Sequence, residues 1–161
     1  MITEILKLIG VTFLPFLELR ASIPYGILNP EFNLHWAWVF VVCVVANIII
    51  GILIFLLLEW IIKILTLLPP IKRLWDRYVE NTRQKIHRAV EKYGEWAVII
   101  FIGIPLPGSG VYSGAVASFL IGLNFKKFII ADVIGVIIAG VIVTIVSLTG
   151  SELFQIFIKG L

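Results

Sequence analysis

The chain has 161 residues, of which 60% are hydrophobic and 14% charged, and its mean hydropathy is +1.08. Soluble domains are about 45–50% apolar and about 25% charged, so this composition excludes a water-soluble fold and predicts one integral membrane domain over residues 1–161. The net charge of +3 does not indicate a nucleic-acid partner, because the basic residues flank apolar segments, as membrane orientation signals do.

The first apolar segment runs to Leu17 and is then interrupted by polar and helix-breaking residues, namely Glu18, Arg20, Ser22 and Pro24. Proline lacks a backbone donor, and lipid cannot satisfy the peptide groups that a break in a helix exposes. We therefore expect a re-entrant hairpin here, with Pro24 at its tip, rather than a plain membrane span.

The second segment, Trp36–Leu58, contains no charged residue, and only Asn47 is clearly polar. A membrane span needs about 20 apolar residues, so we predict a full transmembrane helix, with Trp38 and Trp60 as interface anchors. We expect Asn47 to form an interhelical hydrogen bond, with a role in a site as the alternative. Cys43 is the single cysteine, which excludes an intramolecular disulfide and a cysteine metal cluster.

Residues 63–94 form a basic connector. Apolar residues recur at helical spacing from Ile71 to Tyr93, and charged residues occupy the opposite face. This pattern predicts a cytoplasmic amphipathic helix on the membrane surface. A regulatory or partner-binding role is the alternative.

The third apolar segment is also broken. Trp96–Ile104 leads into the motif GIPLPGSG at Gly103–Gly110, and Val111–Leu123 follows. Neither arm is long enough to cross about 30 Å of hydrocarbon, so we predict a second re-entrant hairpin. A second full span follows at about Phe128–Thr149, interrupted by Asp132.

The basic residues indicate the topology. Two hairpins place the connector and Lys126–Lys127 on one side of the membrane, which then holds most of the thirteen basic residues: Lys63, Lys72, Arg73, Arg77, Arg83, Lys85, Arg88, Lys92, Lys126 and Lys127. Basic residues are enriched on the cytoplasmic side. We therefore expect the connector in the cytoplasm and both termini opposite, in the plasma membrane of a prokaryote.

The halves 1–62 and 95–161 share one plan, a broken hairpin followed by a full span. Pro15 corresponds to Pro105, and Gly51 to Gly140. A hairpin plus one crossing reverses orientation, so repeating this unit gives an inverted repeat, as in many secondary transporters. Because the chain is short, we also expect a homodimer.

Glu18 and Arg20 are the strongest candidates for a site, since charged residues deep in apolar sequence usually face a cavity or each other. Arg20 is suited to binding a phosphate or carboxylate, and Glu18 to binding a cation or a proton. A mutual ion pair that fixes the tip is the structural alternative, and a tip at the membrane surface is a third. Ser22 is a further substrate-binding candidate.

The second tip offers backbone donors and hydroxyls without a charged side chain. Half-helix N-termini attract anions, which makes substrate binding the functional interpretation, whereas a tightly packed turn is the alternative. The candidate ligands are Gly108, Ser109, Gly110 and Tyr112, with Pro105 and Pro107 shaping the tip.

Asp132 is a second candidate for proton coupling or substrate binding, unless it only reaches the membrane interface. His35 and His87 lie far apart in sequence, so no metal-binding spacing is present. No grouping of serine, histidine and acid indicates hydrolysis. We therefore expect neither a metal, nor a cofactor, nor an enzyme.

The tips LPFLELRASIPYG (Leu14–Gly26) and GIPLPGSGVYSGAVASFLIG (Gly103–Gly122) resemble the small multidrug export protein family over nearly the whole chain. That family is similar to the broader DedA, or SNARE-associated, membrane proteins, for which two re-entrant hairpins and lipid transport, including recycling of polyprenyl-phosphate carriers, are implied. Glu18 and Arg20 match the acidic and basic positions of the first hairpin. Pro105, Pro107, Gly108 and Gly110 match the second hairpin, but Tyr112 and Ser113 stand where the DedA pattern has an arginine shortly after the second proline pair.

Together these features predict an all-helical membrane protein that acts as a proton-coupled transporter. Its expected solute is amphipathic or anionic, such as a lipid-linked phosphate or a drug-like compound, and its expected partners are membrane lipids and a second copy of the chain. The alternative is a non-transporting, lipid-organising or scaffold protein that uses the same tips for packing.

Overall fold

A computed structural model of the protein describes residues 1–15, 17–65, 95–105 and 109–159. These residues form six α-helices and no strand, which confirms the all-helical prediction for the described ranges. The helices are α1 (Ile2–Thr12), α2 (Glu18–Leu28), α3 (Trp36–Leu65), α4 (Glu95–Gly103), α5 (Val111–Leu120) and α6 (Phe125–Lys159). Most of the predicted connector lies outside the described residues, as do Pro107 and Gly108.

Two helices are long and apolar enough to cross a membrane, which confirms the two predicted spans. They cover Trp36–Leu58 within α3 and Phe125–Gly150 within α6. α6 begins earlier than predicted because the Asn124 side chain accepts a hydrogen bond from the backbone N–H of Lys127 at 2.9 Å. This is the geometry of a helix N-cap, which satisfies a backbone donor at the start of the helix.

The first broken segment forms two short helices that pack against each other, α1 and α2. Pro15 lies just beyond the end of α1, where proline cannot continue a helix. The backbone then turns at Glu18, whose φ of +49° lies in the left-handed region. The hydroxyls of Thr12 and Ser22 are hydrogen-bonded, with their Oγ atoms 2.7 Å apart, and so join the two helices.

Pro24 is not at the tip, contrary to our expectation. It lies inside α2, and the chain reverses earlier, between Thr12 and Glu18. A proline within a helix removes one hydrogen bond, here the one that the carbonyl of Arg20 would accept, but it does not require the chain to turn back. α2 therefore continues through Pro24 to Leu28.

The second broken segment has the same plan. α4 has nine residues and α5 has ten, and the two helices pack against each other. At a rise of about 1.5 Å per residue neither helix crosses about 30 Å of hydrocarbon. Between them Ser109 Oγ donates to the carbonyl of Ile104 at 2.6 Å, which fastens the chain across the break.

Small residues and aromatic rings bring the two long helices together. Gly140 of α6 packs so closely that a Cβ there would lie 2.7 Å from the Val44 side chain of α3. Further along the same interface, the rings of Phe55 and Phe128 stack with their centroids 4.4 Å apart. The buried side chains around these contacts are mostly aliphatic, but Glu18, Asn47 and Asp132 are buried among them.

Candidate functional site

The carboxylate of Glu18 binds the N-terminus of α5, which lies 93 positions away in sequence. Its Oε2 accepts the backbone N–H of Val111 at 3.2 Å, and its Oε1 accepts that of Tyr112 at 3.4 Å. The first N–H groups of a helix have no partner within the helix, and they lie at its positive end. Because Glu18 is only 3% exposed, this contact joins the two helix breaks inside the protein.

Gly110 makes room for that carboxylate. A Cβ at this position would overlap both oxygens of Glu18. Gly110 also has φ +115° and ψ −173°, a backbone conformation that is essentially restricted to glycine. The position therefore requires glycine for two reasons, the space and the backbone.

Arg20 reaches the same region from the first turn of α2. Its Nη2 donates to Ser109 Oγ at 2.8 Å and makes a longer contact of 3.5 Å with the carbonyl of Ile104. The guanidinium is half-buried, and Glu18 and Arg20 interact electrostatically. The positive charge of Arg20 thus lies beside the N-terminus of α5.

A third contact runs between the breaks. The hydroxyl of Tyr112 donates to the backbone carbonyl of Phe13, just beyond α1, at 2.6 Å. This carbonyl has lost its helical partner because α1 ends there. We use the name tip cluster for the residues whose side chains or backbone meet at this point: Glu18, Arg20, Ser109, Gly110 and Tyr112.

Two polar side chains extend the site into the middle of the bundle. Asn47 of α3 is 1% exposed, and its side chain lies near the Glu18 carboxylate. Asp132 of α6 is 0% exposed, and its carboxylate lies against Gly51, one helical turn beyond Asn47. Glu18 and Asp132 are close enough to interact electrostatically. Three helices thus contribute polar groups to one buried region.

The structure brings together most of the predicted site residues that it describes. Ser22 is an exception, because its hydroxyl is 0% exposed and bonds to Thr12 between α1 and α2. Pro105 is half-buried at the start of the second break, and Pro107 and Gly108 lie outside the described residues.

Sequence reasoning missed two contributors, Gly51 and the carbonyl of Phe13. Gly51 lies four residues after Asn47, on the same helical face. A small residue one turn from a buried polar one signals close approach of another helix, so the Asp132 contact had a detectable signal. The contact of the Phe13 carbonyl had no detectable signal in the sequence, since every residue carries a backbone carbonyl.

The tip cluster has the chemistry of an anion site. The N-terminus of α5 and the guanidinium of Arg20 both favour negative charge, and in this structure Glu18 supplies it. Within the described ranges, no three His, Cys, Asp or Glu side chains form a group that fits a metal ion.

Comparison with known families gives one match. The family described as "Putative small multi-drug export protein" matches residues 18–142. The chain belongs to this family. The matched region begins at Glu18 and includes the whole tip cluster, Asn47 and Asp132. The small multi-drug export name and the two apolar helices together indicate a small membrane protein of an export class. No curated protein and no solved structure matches the chain.

Proposed function

We propose that this chain is an integral membrane transporter that moves an amphipathic or anionic solute, such as a lipid-linked phosphate or a drug-like compound. The observation that carries this proposal is the tip cluster, where Arg20 and the N-terminus of α5 lie together within an apolar bundle. Charge within apolar membrane segments is expensive and is usually retained for a solute or an ion.

The proposed topology is an inverted repeat of a re-entrant hairpin and a span. Reciprocal packing supports it, since α2 packs against α6 while α5 packs against α3. The second arm of each hairpin thus contacts the long helix of the other half. We extend the proposal to a homodimer in a prokaryotic plasma membrane, with the connector in the cytoplasm and a distant relation to DedA proteins.

Glu18 is the group that links solute binding to a proton in this proposal. Its carboxylate occupies the N–H groups of Val111 and Tyr112 that an anionic solute would use. A proton on Glu18 removes the negative charge that these donors and Arg20 attract. The anionic group of the solute then takes its place, and Asp132 serves as the second proton-exchanging acid.

Flux into proteoliposomes tests this function. We would follow a labelled polyprenyl phosphate and a cationic dye, with and without a pH gradient, for the wild type, Glu18→Gln and the matched control Glu31→Gln. Glu31 is exposed in the link before α3. Gradient-dependent flux that Glu18→Gln loses and Glu31→Gln retains supports a proton-coupled carrier. Undiminished flux through Glu18→Gln contradicts the role of Glu18.

A scaffold function is the second candidate, and the same contacts favour it. Glu18, Arg20 and Tyr112 each bond to the opposite break, which is also what a purely structural clamp would do. In that case Glu18→Gln and Arg20→Gln would both lower the melting temperature markedly, and the folded wild type would move neither solute.

A further inference from the structure

A buried carboxylate, that of Asp132, lies between α3 and α6. Among the described residues, neither oxygen of Asp132 has a hydrogen-bond partner. Gly51 leaves room for the Asp132 carboxylate, since a Cβ at this glycine would lie 2.6 Å from Oδ1 and 2.8 Å from Oδ2. An ionised carboxylate in an apolar interior is strongly unfavourable unless a positive charge or several donors accompany it.

The amide oxygen of Asn47 lies on the face of α3 that Asp132 approaches. Asn47 is one turn before Gly51, so both residues lie on the same face of α3. The Asn47 side chain lies near the Glu18 carboxylate, and its amide nitrogen is the only donor that it can direct there. Its Oδ1 has no partner in the part of the chain that the structure describes.

We propose that Asp132 and the amide oxygen of Asn47 form a binding site for a small monovalent cation of the Na⁺ class. Carboxylate and amide oxygens are the ligands that hard cations prefer. Glu18 already accepts two backbone N–H groups and has the positive charge of Arg20 beside it, so the negative charge of an ionised Asp132 is the one that calls for a cation. Na⁺ and a proton are then alternative occupants of the Asp132 carboxylate.

Asn47 connects this cation to the tip cluster. Its rigid amide plane carries both the oxygen that binds the cation and a nitrogen that can donate to the nearby Glu18 carboxylate. Binding of the cation therefore fixes the orientation of the amide and favours the ionised, clamped state of Glu18. The role of the cation in transport rests on the proposed function, whereas its binding does not.

Thermal unfolding of the purified full chain in detergent tests the site, with NaCl compared against an equal concentration of choline chloride. We expect a saturable rise in Tm, of about 5–10 °C when Na⁺ is about one hundred times its Kd. Asp132→Asn and Asn47→Leu should lose this rise. Thr144→Val is the matched control, since it alters another buried group of α6 that has no partner in the described residues, and it should retain the rise.

Equilibrium binding of ²²Na⁺ to the wild type gives a second readout that does not require any variant to fold. Saturable binding supports the site. Absence of saturable binding overturns it, and so does a full Na⁺-dependent rise in Tm in folded Asp132→Asn. Saturable Na⁺ binding by a protein that moves neither tested solute supports the site and contradicts only the proposed transport function.

Discussion

Replacing Gly110 with alanine should release the Glu18 carboxylate from the N-terminus of α5. The new Cβ would overlap both carboxylate oxygens, so Glu18 has to move away from the N–H groups of Val111 and Tyr112 that it now accepts. The substitution changes no charge and removes no polar group. Any effect therefore reports on the geometry of this one contact.

The structure sets the size of the effect. A non-glycine residue held at φ +115° and ψ −173° carries a strain of about 1–3 kcal/mol. Loss of one hydrogen bond to a charged acceptor adds about 1.5–3 kcal/mol, and Glu18 is 3% exposed, so solvent does not replace that bond. We expect Gly110→Ala to lower the free energy of unfolding by about 3–5 kcal/mol.

Denaturant unfolding in detergent measures this loss, with the fluorescence of the five tryptophans as the signal. Gly10→Ala is the matched control. Gly10 lies within α1, and a Cβ there would meet nothing within 4 Å. Alanine is the better helix former by about 1 kcal/mol, so the control should be unchanged or slightly more stable.

A loss of less than about 1 kcal/mol in Gly110→Ala would refute this reasoning, because it falls below the backbone strain alone. Equal losses in Gly110→Ala and Gly10→Ala would refute it as well. In that case the effect would come from any added methyl group and not from the Glu18 contact.

Two smaller changes test neighbouring contacts by the same unfolding assay. Tyr112→Phe removes the donor to the carbonyl of Phe13 and should lower the free energy of unfolding by about 0.5–1.5 kcal/mol. The control Tyr25→Phe, at an exposed position, should have little effect. Equal losses of stability in the two variants would contradict the Tyr112 contact. Gly26→Ala places a Cβ 2.6 Å from the Val39 side chain, and such overpacking should lower the free energy of unfolding by about 1–3 kcal/mol. An unchanged free energy of unfolding would show that α2 and α3 do not pack this closely.

The spans and the two breaks were predictable because they depend on local sequence. Long apolar runs specify Trp36–Leu58 and most of α6, and proline, glycine and charge interrupt the shorter segments. The turn of the first segment was misplaced. Pro24 and Pro15 are both helix breakers by type, and only the packing of α1 against α2 decides which of them lies at the turn.

The residues of the tip cluster were also predictable, but their partners were not. Buried charge in apolar sequence identifies Glu18 and Arg20. Glu18 binds the start of α5, and Arg20 binds Ser109. Both contacts depend on how the two broken segments pack against each other. Contacts between positions about 90 residues apart depend on tertiary packing, which one sequence does not display.

Solute flux through Arg20→Ala tests the central claim most directly, with Lys7→Ala as the matched loss of one positive charge. Lys7 lies exposed on α1, away from the tip cluster. We predict that Arg20→Ala abolishes flux of the transported solute while the protein remains folded by gel filtration, and that Lys7→Ala transports as the wild type does. Wild-type flux through folded Arg20→Ala would contradict the assignment of the tip cluster as the solute site.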